Sequence, residues 1–96
     1  YICVGQEKSL RETWGSSCHG AGRVMSRRQA TRQGRGRDLI GELRARGIEV
    51  MAKDRRTIAE EMSEAYKDVS QVVEVMHEAG ISLKVAKLRP LAVIKG

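Results

Sequence analysis

The sequence contains no phenylalanine, one tryptophan and two tyrosines. Aromatic side chains contribute large buried areas in most proteins, so aliphatic residues must supply this core, and we expect it to be thin. Two cysteines, Cys3 and Cys18, are too few for the disulfide framework of a small secreted domain. A signal peptide and a transmembrane segment are absent too, since no apolar run approaches the required length. These absences predict one small intracellular domain, which we place in the cytoplasm.

Acidic residues are missing between Thr13 and Arg37, and the positive charge accumulates there. Residues 1–37 carry eight basic and two acidic side chains, whereas residues 38–96 carry ten of each, so the whole net charge of +6 lies in the first part. Because guanidinium groups bind phosphate bidentately, this asymmetry predicts a polyanionic partner. A solvated basic face is the alternative interpretation.

A glycine-rich turn that begins with a histidine is the most informative feature of the chain. Residues 16–23 read Ser-Ser-Cys-His-Gly-Ala-Gly-Arg. Glycine allows positive φ and close approach of the backbone to a ligand, and successive amides in such a turn form a concavity that binds anions. Ser26 and Gln29 then match a capping box, which predicts a helix over 27–33 whose free N-terminal amides also favour anions. The pattern indicates chemistry at a phosphate, with His19 as base, ligand or nucleophile.

Short apolar runs alternate with helical periodicity along the rest of the chain, which predicts an α+β fold of mixed short strands and about four helices. Residues 34–37 read as a flexible connector, and His77 lies off the apolar stripe of its helix, where we expect it to be solvated. Asp38 and Asp68 are candidate N-caps, and Gly47 and Gly80 are candidate stop signals. The predicted strands cover residues 1–4, 48–52, 81–85 and 91–94, and the four main predicted helices cover 27–33, 38–47, 56–65 and 68–80. Residues 9–14 could form one further short helix.

The role of His19 stays open at this level. A metal site needs several ligands, and His77 is the only other histidine. A hydrolytic triad would need an orienting acid, which residues 13–37 lack. A nucleophilic or phosphate-contacting histidine with partners elsewhere is left. Cys18 is either a thiolate nucleophile beside basic groups or a small packed side chain.

Four further residues are ambiguous by themselves. Arg23 follows the turn directly, where a guanidinium could clamp a phosphate, and Arg27 lies four residues later. Tyr66 is either a packing residue or a stacking partner for a base. Lys95 is penultimate, and a lysine in that position is usually free in solvent.

The residues match a known family. The segment Gly15-Ser16-Ser17-Cys18-His19-Gly20-Ala21-Gly22-Arg23-Val24-Met25-Ser26-Arg27 resembles the signature of the RtcB-type tRNA-splicing ligases. The resemblance continues through residues 59–61, 64–69 and 77–81 and ends with 88–96. It implies a GTP- and manganese-dependent RNA ligase that joins 3′-phosphate or 2′,3′-cyclic phosphate ends to 5′-hydroxyl ends. Such enzymes act in tRNA splicing and RNA repair, and an archease protein can assist them.

The resemblance also implies a role for individual residues. His19 corresponds to the histidine that attacks the α-phosphorus of GTP and becomes guanylylated, a reaction for which neutral imidazole is a competent nucleophile. Arg23 and Arg27 correspond to arginines that we expect at RNA phosphates. The expected nucleotide contacts are His19, Gly20, Ala21, Gly22, Tyr66, which would stack on guanine, and Lys95.

The family's manganese ligands lie in an upstream body, and the resemblance assigns none of them to this chain. We therefore interpret residues 1–96 as the C-terminal part of a single RtcB-like catalytic domain that does not ligate RNA alone. Strands without partners would expose apolar surface, so we expect self-association. The alternative function is that of a non-catalytic basic RNA-binding module.

Overall fold

The computed structural model describes residues 1–95, and the chain divides into two compact units. The first unit combines residues 1–22 with 67–88, and the second combines residues 23–66 with the segment from Arg89 onward. The predicted α+β class is confirmed. In chain order the elements are β1 (Ile2–Gly5), α1 (Glu7–Glu12), α2 (Arg27–Gln33), α3 (Leu39–Ala45), β2 (Glu49–Ala52), α4 (Arg55–Glu60), a 3₁₀ turn (Ser63–Ala65), α5 (Val69–Glu78), β3 (Ser82–Ala86) and β4 (Ala92–Lys95).

In the first unit, β1 and β3 pair antiparallel, with Val4 opposite Leu83. Helix α5 packs on β3 and buries Val73. The Asp68 side chain caps α5 by accepting a hydrogen bond of 2.7 Å from the Ser70 amide. Gly80 ends the helix with a φ of 69°, which glycine adopts without the steric cost that a Cβ would bring. Both signals act as the sequence predicts.

In the second unit, β2 and β4 pair in parallel, with Val50 opposite Val93. Helices α2 and α4 pack against each other. Ala30 of α2 forms a small core with Met62 and Ala65. The Ser26 side chain accepts a hydrogen bond from the Gln29 amide, so the predicted cap of α2 is confirmed.

Both cores are thin, as the shortage of aromatic residues predicts. Among residues 1–95, nine hydrophobic residues are buried, and none of them is aromatic. Trp14 is 94% exposed, and Leu10 is exposed in the same unit. Self-association through such surface stays a prediction. Among residues 1–95, none of the helices combines the length and the apolar character that crossing a bilayer requires.

The predicted helix over 56–65 is wrong, because the chain leaves the helix after Glu60. In a continuous helix the Glu60 carbonyl would accept from the amide of residue 64. Here it accepts from Nη2 of Arg23 at 2.5 Å, and Met62 is extended with φ −60° and ψ 149°. The Arg23 side chain therefore forms the hydrogen bond to the Glu60 carbonyl that the next helical turn would otherwise form.

The prediction that His77 is solvated is also wrong. His77 is half-buried, and its Nδ1 accepts a hydrogen bond of 3.1 Å from the Lys84 amide, so it links α5 to β3. The connector over 34–37 includes Arg37, which forms ion pairs of 2.6 Å with Glu42 and 2.9 Å with Glu64, and its flexibility stays a prediction. The expectation of unpaired strands fails within residues 1–95, where each of the four strands has one partner.

Candidate functional site

The histidine turn belongs to the first unit, and hydrogen bonds hold it on both sides. On the N-terminal side of His19, the hydroxyl oxygens of Ser17 and Ser82 lie 3.2 Å apart. On its C-terminal side, the Gly22 carbonyl accepts a hydrogen bond of 3.0 Å from the Lys67 amide. His19 itself is exposed. The turn therefore presents an accessible imidazole on a fixed stretch of backbone.

The backbone beside His19 is open to a ligand. A Cβ placed on Gly20 or Gly22 would meet no atom within 4 Å, and Gly22 has a φ of 74°. Side chains in this region would therefore fill space that the glycines leave free. Cys18 is exposed rather than packed, and it shares a cavity of about 210 Å³ with Cys3 and Met76. The sequence motif thus forms a turn with room next to its imidazole.

A second group of predicted residues surrounds Arg23 in the other unit. The Arg23 guanidinium lies 4.8 Å from the centroid of the Tyr66 ring, and its Nη1 donates to the Tyr66 hydroxyl at 2.9 Å. Its Nε donates to the Met25 carbonyl at 3.0 Å, and an ion pair of 3.5 Å links it to Glu61. Arg23 and Tyr66 also form an isolated antiparallel bridge. The Arg23 side chain is thus held by several contacts within its own unit and is 22% exposed.

Tyr66 and Glu61 form the electrostatic centre of this cluster. The Tyr66 hydroxyl donates to the Glu61 carboxylate, and this hydrogen bond is the main cause that lowers the pKa of Glu61 below its ordinary value of 4.5. Burial opposes this shift, while the charges of Lys95, Arg23 and Arg27 support it. The same hydrogen bond, with burial and the charge of Glu61, raises the pKa of Tyr66 above 10.0. At neutral pH the pair is a carboxylate and a neutral phenol.

Arg27 and Lys95 lie at the edge of the same cluster. Arg27 is 3.9 Å from the Glu60 carboxylate, with its own side chain 67% exposed, so the contact is weak and the guanidinium stays accessible. Lys95 and Glu61 both line a cavity of about 310 Å³. Its remaining wall combines aliphatic residues, Leu43 and Val93 among them, with the charged residues Arg37, Glu42, Arg46 and Glu64. This volume lies at the lower end of the range for small-molecule sites.

The structure therefore divides the predicted site residues between the two units. The first contains His19, Gly20, Ala21 and Gly22, and the second brings Arg23, Arg27, Tyr66 and Lys95 around Glu61. Their roles at a nucleotide or at RNA stay predictions.

Sequence reasoning missed Glu60 and Glu61 as partners of Arg23. The two glutamates are adjacent in the sequence. Nothing in the sequence indicates that Arg23, 37 residues before Glu60, would contact them. Among residues 1–95, no three His, Cys, Asp or Glu side chains come together in a group that could hold a metal ion. These residues therefore do not fit a manganese site.

Comparison with known proteins identifies relatives over the whole chain. The family model described as tRNA-splicing ligase RtcB matches residues 1–96. Relatives named tRNA-splicing ligase RtcB are 57% identical in Thermococcus kodakarensis, 53% identical in Methanopyrus kandleri and 54% identical in Pyrococcus horikoshii, each over all 96 residues. The chain spans 20%, 10% and 11% of the length of these three proteins.

Proposed function

This chain belongs to the RtcB family of tRNA-splicing ligases, and we propose that it provides the guanylyl-accepting histidine of a GTP-dependent RNA ligase. The observation that carries the proposal is the exposed imidazole of His19 beside an open glycine turn, in a chain that the family matches throughout. The proposed reaction joins an RNA 3′-phosphate, or a 2′,3′-cyclic phosphate after its hydrolysis, to a 5′-hydroxyl.

We assign His19 the role of the nucleophile that carries the guanylyl group. A ring nitrogen of neutral His19 attacks the α-phosphorus of the substrate GTP, forms a phosphorus–nitrogen bond and displaces pyrophosphate. A 3′-phosphate oxygen of the RNA then displaces the imidazole and takes over the guanylyl group. The 5′-hydroxyl oxygen finally attacks the 3′-phosphate phosphorus, loses its proton and releases GMP. The open space at Gly20 and Gly22 lets the phosphates approach the backbone amides of the turn.

We assign recognition of the guanine base to the Tyr66 cluster. Tyr66 offers a half-buried aromatic ring, and the cavity beside it contains an ionised carboxylate at Glu61 and an ammonium at Lys95. Guanine has N–H donors next to a carbonyl acceptor, so a carboxylate and an ammonium complement its edge. Arg23 and Arg27 are the proposed contacts for RNA phosphates. Arg27 is accessible for this role, and Arg23 also positions Tyr66 and Glu61.

The proposed ligase needs residues beyond this segment. Residues 1–95 bring no metal-binding group together, so no step above is assigned to manganese within this chain. We therefore propose that the 96-residue chain alone does not seal RNA and that an archease assists the complete enzyme. Sealing of a 3′-phosphate and 5′-hydroxyl RNA pair by the purified chain would contradict this part.

A chimera tests the role of His19. The segment of the Thermococcus kodakarensis relative that matches this chain is replaced by residues 1–96, and the purified chimera is incubated with manganese and α-labelled GTP. We expect covalent, acid-labile label on the chimera and on His77→Ala, the matched histidine control, but none on His19→Ala. Retention of that label by His19→Ala, or its absence from a folded chimera when the parent is labelled, overturns the proposal.

A non-catalytic RNA-binding module is the second candidate, because the excess positive charge lies in residues 1–37. It predicts an unlabelled chimera that still binds RNA with a steep dependence on salt concentration.

A further inference from the structure

One face of α2 carries arginines that the rest of the described chain leaves unneutralised. Arg28, Arg32 and Arg35 are spaced by four and three residues, which places them on one side of a helix and its continuation. All three are exposed. Within residues 1–95 their side chains form no ion pair, whereas the other arginines of the same unit include six that do. Those six are Arg23, Arg27, Arg37, Arg44, Arg55 and Arg56.

This arrangement works against the stability of α2 itself. Like charges four residues apart on a helix repel each other, as Arg28 and Arg32 do here. The first turn of α2 contains no acidic residue, so Arg28 also lies unfavourably against the positive end of the helix dipole. A face that weakens its own helix and has no counterion in its unit is suited to a negatively charged partner.

The opposite side of α2 holds the helix in place. Ala30 is fully buried, and a Cβ placed on Gly34 would lie 3.0 Å from the Ala59 Cβ of α4. Arg27 adds a weak contact with Glu60 on the same helix. The three arginines are therefore presented outward from a packed element rather than from a loose segment.

Space for an anion continues beside the last arginine. A cavity of about 390 Å³ is lined by the guanidinium-bearing Arg35, Arg37, Arg55 and Arg56, and by one carboxylate, that of Asp38. Arg55 contributes a second accessible guanidinium, since its 3.9 Å contact with Asp38 joins two exposed side chains. The basic face therefore leads into a recess that can accept a phosphate group.

We propose that Arg28, Arg32 and Arg35 form a binding face for the phosphate backbone of an RNA strand. Guanidinium groups spaced along a helix match a chain of phosphates, because each can donate two parallel hydrogen bonds to one of them. A membrane surface fits less well, since residues 27–33 contain no large apolar side chain that could anchor the helix in lipid. The choice of RNA rests on the proposed function, while the anionic character of the partner rests on the geometry.

Binding of a fluorescent single-stranded RNA with a 3′-phosphate tests this face, measured by anisotropy at several sodium chloride concentrations with the 96-residue chain and with the chimera. We expect Arg28→Gln/Arg32→Gln/Arg35→Gln to weaken binding by about tenfold or more at low salt. The slope of log K against log salt should fall by about 2, since each lost phosphate contact removes about 0.7. The charge-matched control is Arg11→Gln/Arg44→Gln/Lys53→Gln, which removes three exposed cations outside the face and its recess and should change both quantities less. Circular dichroism confirms that both variants are folded, and Gln has nearly the helix propensity of Arg.

Each remaining outcome decides the proposal. Equal weakening by both triple variants, or an unchanged salt slope in the first, overturns it. Strong binding of anionic phosphatidylserine vesicles without RNA binding also overturns it. Guanylylation of the chimera in the absence of RNA separates this inference from the function of His19, because the first triple variant should retain full labelling. Loss of RNA binding with labelling intact supports the face even if the later sealing step fails.

Discussion

The guanidinium of Arg23 covers the Tyr66 ring at 4.8 Å from its centroid and donates to its hydroxyl oxygen across 2.9 Å. This pairing joins two positions separated by 43 residues. It also fixes Glu61, because both partners donate to its carboxylate. Arg23 therefore adds side-chain contacts to the backbone hydrogen bond of 2.8 Å that the Val24 amide donates to the Ala65 carbonyl between the same two segments.

Arg23→Ala should destabilise the fold by about 2 kcal/mol, since it removes charge-assisted hydrogen bonds and the ion pair of the half-buried Glu61 with Arg23. Urea unfolding followed by circular dichroism measures the change. Arg44→Ala is the control, because its ion pair with Glu49 is exposed and such pairs contribute about 0–1 kcal/mol. Equal losses in the two variants would show that Arg23 is an ordinary surface residue.

The Glu61 and Tyr66 pair should make stability depend on pH at both ends of the range. The pKa of Glu61 is lowered, so its contribution is present above the ordinary value of 4.5 and is lost as the pH falls through the folded value. The pKa of Tyr66 is raised, so its contribution is present below 10.0 and is lost as the pH rises through the folded value.

Free energies of unfolding measured across pH test this pair. Glu61→Gln should flatten the acid side, and Tyr66→Phe should flatten the alkaline side relative to the unsubstituted chain. Profiles that stay parallel to the original at both ends would show that the pair does not couple folding to protonation.

Gly34→Ala should cost about 1–3 kcal/mol through overpacking. The new Cβ would lie 3.0 Å from the Ala59 Cβ and 3.3 Å from the Leu39 Cδ1, between helices that already touch. Gly20→Ala is the matched control, since its Cβ would meet nothing within 4 Å. Thermal and urea unfolding compare the two variants, and a neutral Gly34→Ala would mean that α2 and α4 separate easily.

Local signals in the sequence were sufficient for the N-termini of α2, α3 and α5, because Ser26, Asp38 and Asp68 accept hydrogen bonds from amides two or three residues further on. The pairing of β2 with β4 was not predictable in the same way, since it joins residues 43 apart in the chain. The break of the predicted helix at Glu60 has the same origin, because Arg23 takes its carbonyl from outside the segment.

In the candidate site, the glycine turn and His19 were predictable from the sequence because the residues of the motif are contiguous. The role of Glu61 was not predictable, because it depends on a fold that brings Arg23, Tyr66 and Lys95 close to its carboxylate. Periodicity reports which face of an element is buried, but it does not report which side chain from another element meets it.

Trp14→Asn should stabilise the chain by about 1 kcal/mol. Trp14 has a φ of 50°, a left-handed conformation that costs a bulky residue about 1–2 kcal/mol and that asparagine tolerates. Its side chain is 94% exposed, so little burial is lost. Trp14→Ala keeps the unfavourable conformation and should leave the free energy of unfolding nearly unchanged. Equal effects of the two substitutions would show that the backbone at position 14 is not strained.

The most direct test of the central claim is to locate the guanylyl group. The chimera that carries residues 1–96 is incubated with GTP and manganese, digested at neutral to alkaline pH, and its peptides are sequenced by mass spectrometry. We predict that the mass of one GMP is found on the peptide that contains His19 and is assigned to that side chain. GMP on another residue, with the His19 peptide unmodified, would contradict the assignment of His19 as the acceptor.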